Sequence, residues 1–312
     1  MNPAPRPSPV FVGIETGGTK ILARLAAADG TVLADVRLPT GDPETALAEL
    51  LNTVNANTPA GAQVAGIGLA SFGPLVIDPA STDYGVMLAT PKPGWSGFNL
   101  GLSLSEALKA PVAIDTDVNL AAVAEQVLGA GRGLHTVAYV TVGTGIGGGL
   151  AIDGRTLKGG LHPEIGHIRV RRAQYDPMPS RCGFHPDCAE GLAAGPALGA
   201  RLNGRRLEEA PEVRALAADY LGQLCATLLL AWSPQRIVLG GGVMGVVGLI
   251  PEIEARMRLE LNGYGAGVVA GEGGYLVAAE PALGRPPSFT RPSCLSAGAT
   301  IAQSPERSRL AI

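Results

Sequence analysis

Short apolar stretches separated by turn residues open the chain. Residues 10–14 are apolar and run into a segment with two glycines at 15–20, after which residues 21–27 are apolar again. An Asp-Gly pair at 29–30 then precedes a third stretch at 31–38. Short runs bounded by glycine and Asp-Gly signals are typical of strands joined by hairpin turns. The pattern therefore predicts a three-stranded β-meander.

The first glycine turn leads into a strand pattern and not into a helical one. A dinucleotide-binding Rossmann unit passes from its glycine turn directly into a helix, which disfavours that class here. Farther along, residues 43–57 follow a helical pattern, and residues 63–70 and 111–115 are predicted strands. A helix carrying Glu125 is expected next. Because open α/β sheets bind ligands beyond the carboxyl ends of their strands, reactive side chains are expected to converge there.

The order of strand, glycine-rich turn and strand recurs in the second half. Residues 135–154 pass from a β-rich segment through the turn at 143–149 and end in another Asp-Gly pair. An apolar helix is predicted at 213–232, and the strand at 236–240 ends in a third glycine cluster. Glycine lets backbone N–H groups approach phosphate oxygens closely, and a threonine hydroxyl adds a donor. The candidate contacts to a nucleotide are Gly17, Gly18, Thr19, Lys20, Thr144, Gly145, Gly240, Gly241 and Gly242.

Two repeats of this kind predict two α/β half-domains that face one another across a cleft. We expect the first to span residues 1–118 and the second residues 119–312, since 312 residues suffice for two domains. A net charge of −3 gives no basic field for nucleic acid. The proline-rich N-terminus has no apolar run of signal-peptide or membrane-spanning length. A cytoplasmic protein with reduced thiols and with no nucleic-acid or membrane partner is therefore expected.

Potential metal ligands are concentrated between positions 161 and 191. Cys182, His185 and Cys188 follow one another at intervals of three, and His167 lies upstream as a fourth ligand. Two thiolates and two imidazoles suit tetrahedral Zn²⁺, and four protein ligands leave no open coordination position. The pattern predicts a structural zinc site, with a chance cluster in a polar loop as the alternative. His162 lies outside this set and is expected to pack or bond locally.

Five motifs share the order and approximate spacing found in one known family. They are GIETGGTK, TDVN at 116–119, VGTGIGGG, HPEIGH with the following C-x2-H-x2-C-x-EG, and VLGGGV. The set covers residues 10 to about 250 and resembles the ROK-type sugar kinases, and TPKPGW at 90–95 is most similar to their bacterial, zinc-containing fructokinase branch. The resemblance implies an actin-like ATPase (ribonuclease H-like) fold, with two α/β domains around a cleft. It also implies a homodimer, Mg²⁺ bound with ATP, and closure on the sugar.

Phosphorylation of a sugar hydroxyl requires a base that accepts its proton and aligns the oxygen with the γ-phosphate. In the resembled family the aspartate before x-Asn fills this role, which implies Asp117 as the catalytic base. Asp115 lies two residues earlier and is easily confused with it. The alternative is that Asp117 only caps the helix that follows.

The resemblance also implies a set of sugar-binding residues. His167 would both ligate the metal and stand beside the sugar. Glu164 has a second interpretation as a solvated side chain, and Glu190 as a carboxylate at a helix N-terminus. Lys92 is equally consistent with the rim of the sugar pocket and with solvent, and Trp95 with a sugar face and with the core. The implied sugar-binding residues are Thr90, Thr116, Asp117, Glu164, His167 and Glu190.

Several positions depart from the pattern of the family. Glu15 stands where many members have aspartate, Thr116 where asparagine is usual, and Ala194 where serine is frequent. Four prolines between 281 and 292 predict an irregular segment, because proline cannot sit inside a regular helix. A short helix from Ser296 is expected to follow, in a segment that packs back on the N-terminal domain.

The sequence thus predicts an ATP-dependent sugar kinase, with fructose and its conversion to fructose 6-phosphate as the expected reaction. Glucose, mannose and N-acetylated hexosamines are the alternative substrates within the family. A sugar-responsive transcriptional regulator is a remote alternative, because such proteins carry a DNA-binding domain ahead of the first glycine turn. Only nine residues precede the first strand here.

Overall fold

The residues that the computed structural model describes are 9–90, 92–159, 161–265 and 274–280. They divide into two compact units. The chain leaves the first unit after Asp117, returns to it for the short segment Lys158–Leu161, and belongs to the second unit again from His162 to Glu280, the last described residue. The proline-rich segment at 281–295 and the helix expected from Ser296 lie outside the described residues.

The first unit consists of a sheet with two helices. Its elements are β1 (Pro9–Thr16), β2 (Lys20–Ala27), β3 (Val32–Pro39), α1 (Pro43–Asn57), β4 (Gln63–Ser71), α2 (Leu100–Leu108) and β5 (Val112–Thr116). The strand order is β3-β2-β1-β4-β5, antiparallel across the first three strands and parallel from β1 through β4 to β5. The predicted meander is confirmed, and the glycine turn after β1 leads into a strand, as predicted.

Helix α1 illustrates how local sequence sets an element. Asp42 caps its N-terminus through a hydrogen bond from the Thr45 N–H of 2.9 Å, and a proline occupies the first helical turn. Ala46, Leu50 and Val54 recur at intervals of four and are buried against the sheet side of the unit. The helix ends at the residues that the sequence pattern predicts.

The second unit repeats the same plan. Its elements are α3 (Asp117–Val127), β6 (Thr136–Val142), β7 (Ile146–Ile152), β8 (Arg155–Thr156), α4 (Ala189–Ala193), α5 (Gly195–Leu202), α6 (Pro211–Trp232), β9 (Arg236–Gly240), α7 (Leu249–Leu261) and β10 (Leu276–Ala278). The strand order β10-β9-β6-β7-β8 has the same arrangement as the first sheet, with an antiparallel meander on one side and parallel strands on the other. The duplication inferred from the two glycine turns therefore extends to whole sheets.

Helix α6 forms the centre of the second core. Tyr220, Leu224 and Leu228 are almost completely buried, and α7 packs along the same helix. By length and composition alone, α6 is apolar enough to cross a membrane, but 67% of its most apolar 18-residue window is buried inside this unit. Cys225 on this helix is buried, as its position in an apolar helical run suggests.

Candidate active site and metal centre

The first glycine turn joins β1 to β2, and two side chains from outside this hairpin bond to it. The Gly17 N–H donates to the Lys20 carbonyl at 2.8 Å and closes the turn. The Thr40 hydroxyl donates to the Gly17 carbonyl at 2.8 Å, and the Lys92 ammonium donates to the Gly18 carbonyl. Two side chains far apart in sequence therefore fix the conformation of this turn.

The predicted base follows the strand at the edge of the parallel part of this sheet. Thr16 at the end of β1 pairs with Ser71 at the end of β4, which in turn pairs with Thr116 at the end of β5. Asp117 comes directly after Thr116 and opens α3. The first glycine turn and Asp117 thus leave the same carboxyl edge two strands apart, about 10 Å at the usual strand spacing.

Glu15 is a largely buried carboxyl group at this edge. Its Oε2 atom is buried and has no hydrogen-bond partner among the described residues. Burial and the nearby Asp117 carboxylate raise the pKa of Glu15 to about 7, although Lys20 acts in the opposite direction. The Lys20 charge does not offset burial and the Asp117 carboxylate, so a cation carried in with a ligand would further favour the ionised form of Glu15.

A buried ion pair anchors the segment that returns to the first unit. The Lys158 ammonium lies 2.9 Å from Asp115 Oδ2, and the Asp115 side chain is only 5% exposed. Asp115 Oδ1 also accepts the Thr116 N–H at 2.8 Å. The two aspartates near the end of β5 are therefore distinct, because Asp115 is committed to structure. The sequence does not reveal this pair, since its members are 43 positions apart and neither belongs to a recognisable spacing.

The second and third glycine clusters meet at one end of the second sheet. In the parallel register of β6 and β9, Thr141 pairs with Gly240, so the turns that follow both strands leave the same edge. Gly241 has a φ of +92°, and a Cβ atom there would lie 2.4 Å from the Val142 carbonyl oxygen. Only glycine fits this position. Thr144, at the tip of the second turn, is exposed.

Glu190 contacts the second glycine turn directly. It lies in the first turn of α4, and its Oε2 atom accepts the Ile146 N–H at 3.0 Å. A Cβ atom on Gly145 would lie 2.6 Å from the same oxygen, so a side chain there would displace the Glu190 carboxylate. The Gly195 N–H, at the start of α5, donates to the Gly143 carbonyl at 2.7 Å. The interpretation of Glu190 as only a helix-terminal carboxylate is therefore incomplete.

The HPEIGH segment packs against the start of β7. A Cβ atom on Gly166 would lie 2.0 Å from the Ile146 carbonyl oxygen, so this residue must be glycine. The Glu164 side chain is 43% exposed, and its Oε1 atom lies 3.4 Å from His162 Nδ1. His162 itself is buried and bonds locally, as expected. The two predicted sugar ligands in this segment, Glu164 and His167, lie on the same unit as Glu190.

The four predicted metal ligands converge. Cys182 Sγ lies 3.7 Å from both His167 Nδ1 and His185 Nδ1, and Cys188 Sγ lies 3.9 Å from His167 Nδ1. One ligand atom from each residue lies within 4.8 Å of those of the other three. Tetrahedral zinc with bonds of about 2.0–2.3 Å requires ligand separations of about 3.3–3.8 Å. The donor set therefore suits a four-coordinate zinc ion, and the three separations of 3.7, 3.7 and 3.9 Å lie close to the upper end of this range.

The cluster is built into the local fold. Cys188 is the N-cap of α4, and its sulfur accepts the Gly191 N–H at 3.4 Å. The Ala189 N–H donates to the Ile168 carbonyl at 2.9 Å, so the chain on either side of the cluster is paired. Burial raises the pKa of Cys188 to about 11, so a cation is needed for its thiolate to form near neutral pH.

The TPKPGW motif does not present its aromatic side chain to a ligand. Trp95 is only 1% exposed, and its indole N–H donates to the Gly41 carbonyl at 3.0 Å. Its ring packs edge-on against Phe72 and Phe98. Of the two interpretations of Trp95, core packing is confirmed and sugar stacking is wrong. Lys92 is not simply solvated either, since it contacts the first glycine turn.

The predicted site residues thus fall into two groups. The first unit carries Gly17, Gly18, Thr19, Lys20, Thr90, Thr116 and Asp117. The second unit carries Thr144, Gly145, Glu164, His167, Glu190, Gly240, Gly241 and Gly242. The contacts that sequence reasoning missed are those of Thr40, Lys92, Lys158 and the Glu190 carboxylate, which all join segments distant along the chain.

The chain is similar in sequence and in fold to proteins of one known family. A model described as "ROK family" matches residues 11–271. The chain is 42% identical over 261 residues to a fructokinase of Zymomonas mobilis, covering 82% of this chain and 87% of that protein. The ROK hexokinase of Thermus thermophilus matches with a TM-score of 0.74 at 30% identity, covering 95% of this chain and all 100% of that chain.

A second solved structure carries ligands. A ROK family glucokinase of Streptomyces griseus, in complex with glucose and AMPPNP, matches with a TM-score of 0.66 at 25% identity and covers 94% of this chain and 98% of that chain. These likenesses confirm the predicted α/β, actin-like ATPase fold. The duplicated sheets, the paired glycine turns and a family match over most of the length together show that this chain belongs to the ROK family.

Proposed function

We propose that this protein is an ATP-dependent fructokinase that converts D-fructose to fructose 6-phosphate. The fructokinase of Zymomonas mobilis, at 42% identity over most of both chains, supports the substrate. The observation that carries the reaction is the position of Asp117, which opens α3 at the carboxyl edge that also carries the first glycine turn. A base and a phosphate-binding turn at one sheet edge are what phosphoryl transfer to an alcohol requires.

In the proposed reaction Asp117 accepts the proton of the primary hydroxyl on C6 of fructose. The hydroxyl oxygen forms a bond to the γ-phosphorus while the bond from that phosphorus to the β,γ-bridging oxygen breaks, and ADP leaves. No covalent enzyme intermediate is involved. Positioning and charge neutralisation supply most of the acceleration, and the base contributes about 10²–10⁴-fold.

The residues proposed to bind the sugar hydroxyls are Thr90, Thr116, Glu164, His167 and Glu190. His167 turns its Nδ1 atom to the metal cluster, which leaves its Nε2–H as a donor to a sugar oxygen. The exposed Glu164 carboxylate accepts from hydroxyl groups.

The nucleotide is assigned to the three glycine clusters. Gly17 to Lys20 and Thr144 with Gly145 contact the phosphates, and Gly240 to Gly242 lie beside the adenosine. The second turn and the third cluster leave one edge of their sheet, which supports a shared ligand. The substrate is ATP with Mg²⁺, and the partly buried Glu15 carboxylate is the group in the first unit suited to the cation or its water ligands.

The cluster of His167, Cys182, His185 and Cys188 is proposed to hold a structural zinc ion. Four protein ligands saturate it, so it supplies folding energy and fixed geometry. Its ligand His167 lies three residues after Glu164, and Cys188 lies two residues before Glu190. The ion therefore fixes the segments that carry the sugar-binding groups.

The test is an ADP-release assay across hexoses with MgATP. We expect the highest kcat/KM with fructose and lower values with glucose, mannose and N-acetylated hexosamines. Asp117→Asn is expected to lower kcat by about 10²–10⁴-fold and leave the Kd for fructose nearly unchanged. Asp83→Asn, at an exposed aspartate of the same unit, is the matched control.

Two results would contradict the proposal in different ways. Preference for glucose or a hexosamine would keep the reaction class and change the substrate. Turnover of Asp117→Asn near the wild-type rate would remove this residue from the mechanism. A cytoplasmic location, expected from the N-terminal sequence, and a homodimer, implied by the resemblance, remain part of the same proposal.

A further inference from the structure

We propose that Lys92 is a positioning residue for the phosphates of ATP, and that Lys92 and Trp95 of the TPKPGW motif brace the first glycine turn instead of forming a face of the sugar pocket. This inference rests on the proposed kinase function and deepens it. The motif is the segment that most closely resembles the fructokinase branch, yet its tryptophan is buried in the core. The lysine of the motif, Lys92, contacts the first glycine turn, which is proposed to bind the phosphates.

Two peptide groups of the first glycine turn have carbonyls that accept hydrogen bonds from side chains outside the turn. The carbonyl of Gly17 accepts the Thr40 hydroxyl at 2.8 Å, and the carbonyl of Gly18 accepts the Lys92 ammonium. In a planar trans peptide the C=O and N–H bonds point in opposite directions. Because the Gly17 carbonyl points to Thr40, the Gly18 N–H of the same peptide points away from Thr40, and the Thr19 N–H likewise points away from Lys92.

Gly18 and Thr19 are both exposed, so their backbone lies at the surface of this unit. Successive backbone N–H groups in such a turn can bind an anion, and dipoles that are already fixed require no reorganisation when a phosphate arrives. Lys92 also places a positive charge behind the same turn, which adds to the attraction for a polyphosphate.

The rest of the motif holds the lysine and its partner in place. The Lys92 ammonium lies 4.7 Å from the centroid of the Phe72 ring, a cation–π contact. Trp95 packs edge-on against that ring, with centroids 5.2 Å apart. Its indole N–H donates to the Gly41 carbonyl at 3.0 Å, next to Thr40. The motif therefore supports both side chains that hold the turn.

A sugar-rim role makes a different kinetic prediction from a role behind the phosphate turn. A lysine that binds a sugar hydroxyl affects KM for fructose. A lysine that orients the phosphate-binding N–H groups affects KM for MgATP and kcat. Binding of MgAMPPNP without sugar isolates the second role from turnover.

The experiment compares Lys92→Met with Lys92→Arg in the full-length protein, using Lys109→Met as a control at an exposed lysine of the same unit. We expect Lys92→Met to raise KM for MgATP and Kd for MgAMPPNP at least ten-fold and to lower kcat. KM for fructose should stay within two-fold of wild type. Lys92→Arg, which retains a donor and a charge, should recover part of the loss.

A second pair of variants tests the other carbonyl. Thr40→Val removes the hydroxyl bond to Gly17, whereas Thr40→Ser keeps it. The inference is supported if MgAMPPNP binds more weakly to Thr40→Val but not to Thr40→Ser. This comparison can be made even if Lys92→Met folds poorly.

An increase in KM for fructose with unchanged MgAMPPNP binding in Lys92→Met would overturn the inference and leave the kinase function intact. Absence of hexose turnover in wild type would refute the proposed function itself, and wild-type failure to bind MgAMPPNP would overturn both.

Discussion

Glu15 is a largely buried carboxyl group that lies near a second carboxylate, Asp117. Burial and Asp117 both disfavour its ionised form, and the pKa of Glu15 rises to about 7. A raised pKa means that the fold is more stable when this carboxyl is protonated. Stability from this group is thus fully present below its ordinary value of 4.5 and is lost as the pH rises through 7.

Glu15→Gln should therefore stabilise the nucleotide-free protein at alkaline pH. The amide resembles the protonated carboxyl and carries no charge to bury. We expect similar Tm values for variant and wild type at pH 5, and a gain for the variant of about 1–3 kcal/mol at pH 8.5. Thermal unfolding across this range measures it, with Glu106→Gln at an exposed position of the same unit as the control. Equal pH dependence of the two proteins would show that Glu15 titrates normally.

At the scale of elements, the metal cluster and the short helix α4 share Cys188, which belongs to the cluster and caps the helix. Cys188 caps α4 through a bond from the Gly191 N–H, and Glu190 in the same turn accepts the Ile146 N–H. Loss of the ion would release the cap of α4 and with it the carboxylate that contacts the second glycine turn. A helix of five residues does not persist without such constraints.

Removal of the metal should consequently weaken sugar binding as well as stability. We expect about one zinc per chain by elemental analysis, and Cys182→Ser should lose it. The Kd for fructose should rise at least ten-fold and Tm should fall, because the segments carrying Glu164 and Glu190 lose their common anchor. His135→Gln, at an exposed histidine outside the cluster, should retain the zinc. Full zinc content in Cys182→Ser would contradict the assignment of this ligand.

At the scale of the whole molecule, the path of the chain matters as much as the two sheets. The chain completes most of the first unit, enters the second, and returns to the first at Lys158–Leu161 before the HPEIGH segment begins. The return is anchored by the ion pair of Lys158 with the buried Asp115. This pair therefore links the strand that precedes the proposed base to the segment that precedes the proposed sugar ligands.

Removing only the lysine of this ion pair should strongly destabilise the protein. Lys158→Met leaves the buried Asp115 carboxylate without its ammonium partner, for which we expect a loss of about 2–4 kcal/mol in urea unfolding. The double variant with Asp115→Asn should lose less than the sum of the two single changes, since it removes both charges. Arg171→Met breaks an exposed pair with Glu260 and should cost at most about 1 kcal/mol. Additive losses in the double variant would show that Lys158 and Asp115 do not interact.

The elements and the metal ligands were accessible from the sequence because the signals for them are local. Hydrophobic period and turn residues predict β1 to β7, β9, α1, α3 and α6, with α1 at its observed bounds, whereas α2, α4, α5, α7, β8 and β10 were not predicted. The spacing of Cys182, His185 and Cys188 predicts convergence because three ligands lie within seven positions. The two glycine turns predict the duplication because each is bounded by its own pair of strands.

By itself, then, the sequence determined the α/β class, the two repeated sheets, the family and the residues that carry its motifs. Only the tertiary structure decided the contacts of Lys92 with Gly18, of Lys158 with Asp115 and of Trp95 with the core. The physical reason is that each contact joins segments whose separation along the chain carries no periodic signal. Their energies depend on burial and direction, which exist only after the sheets have formed.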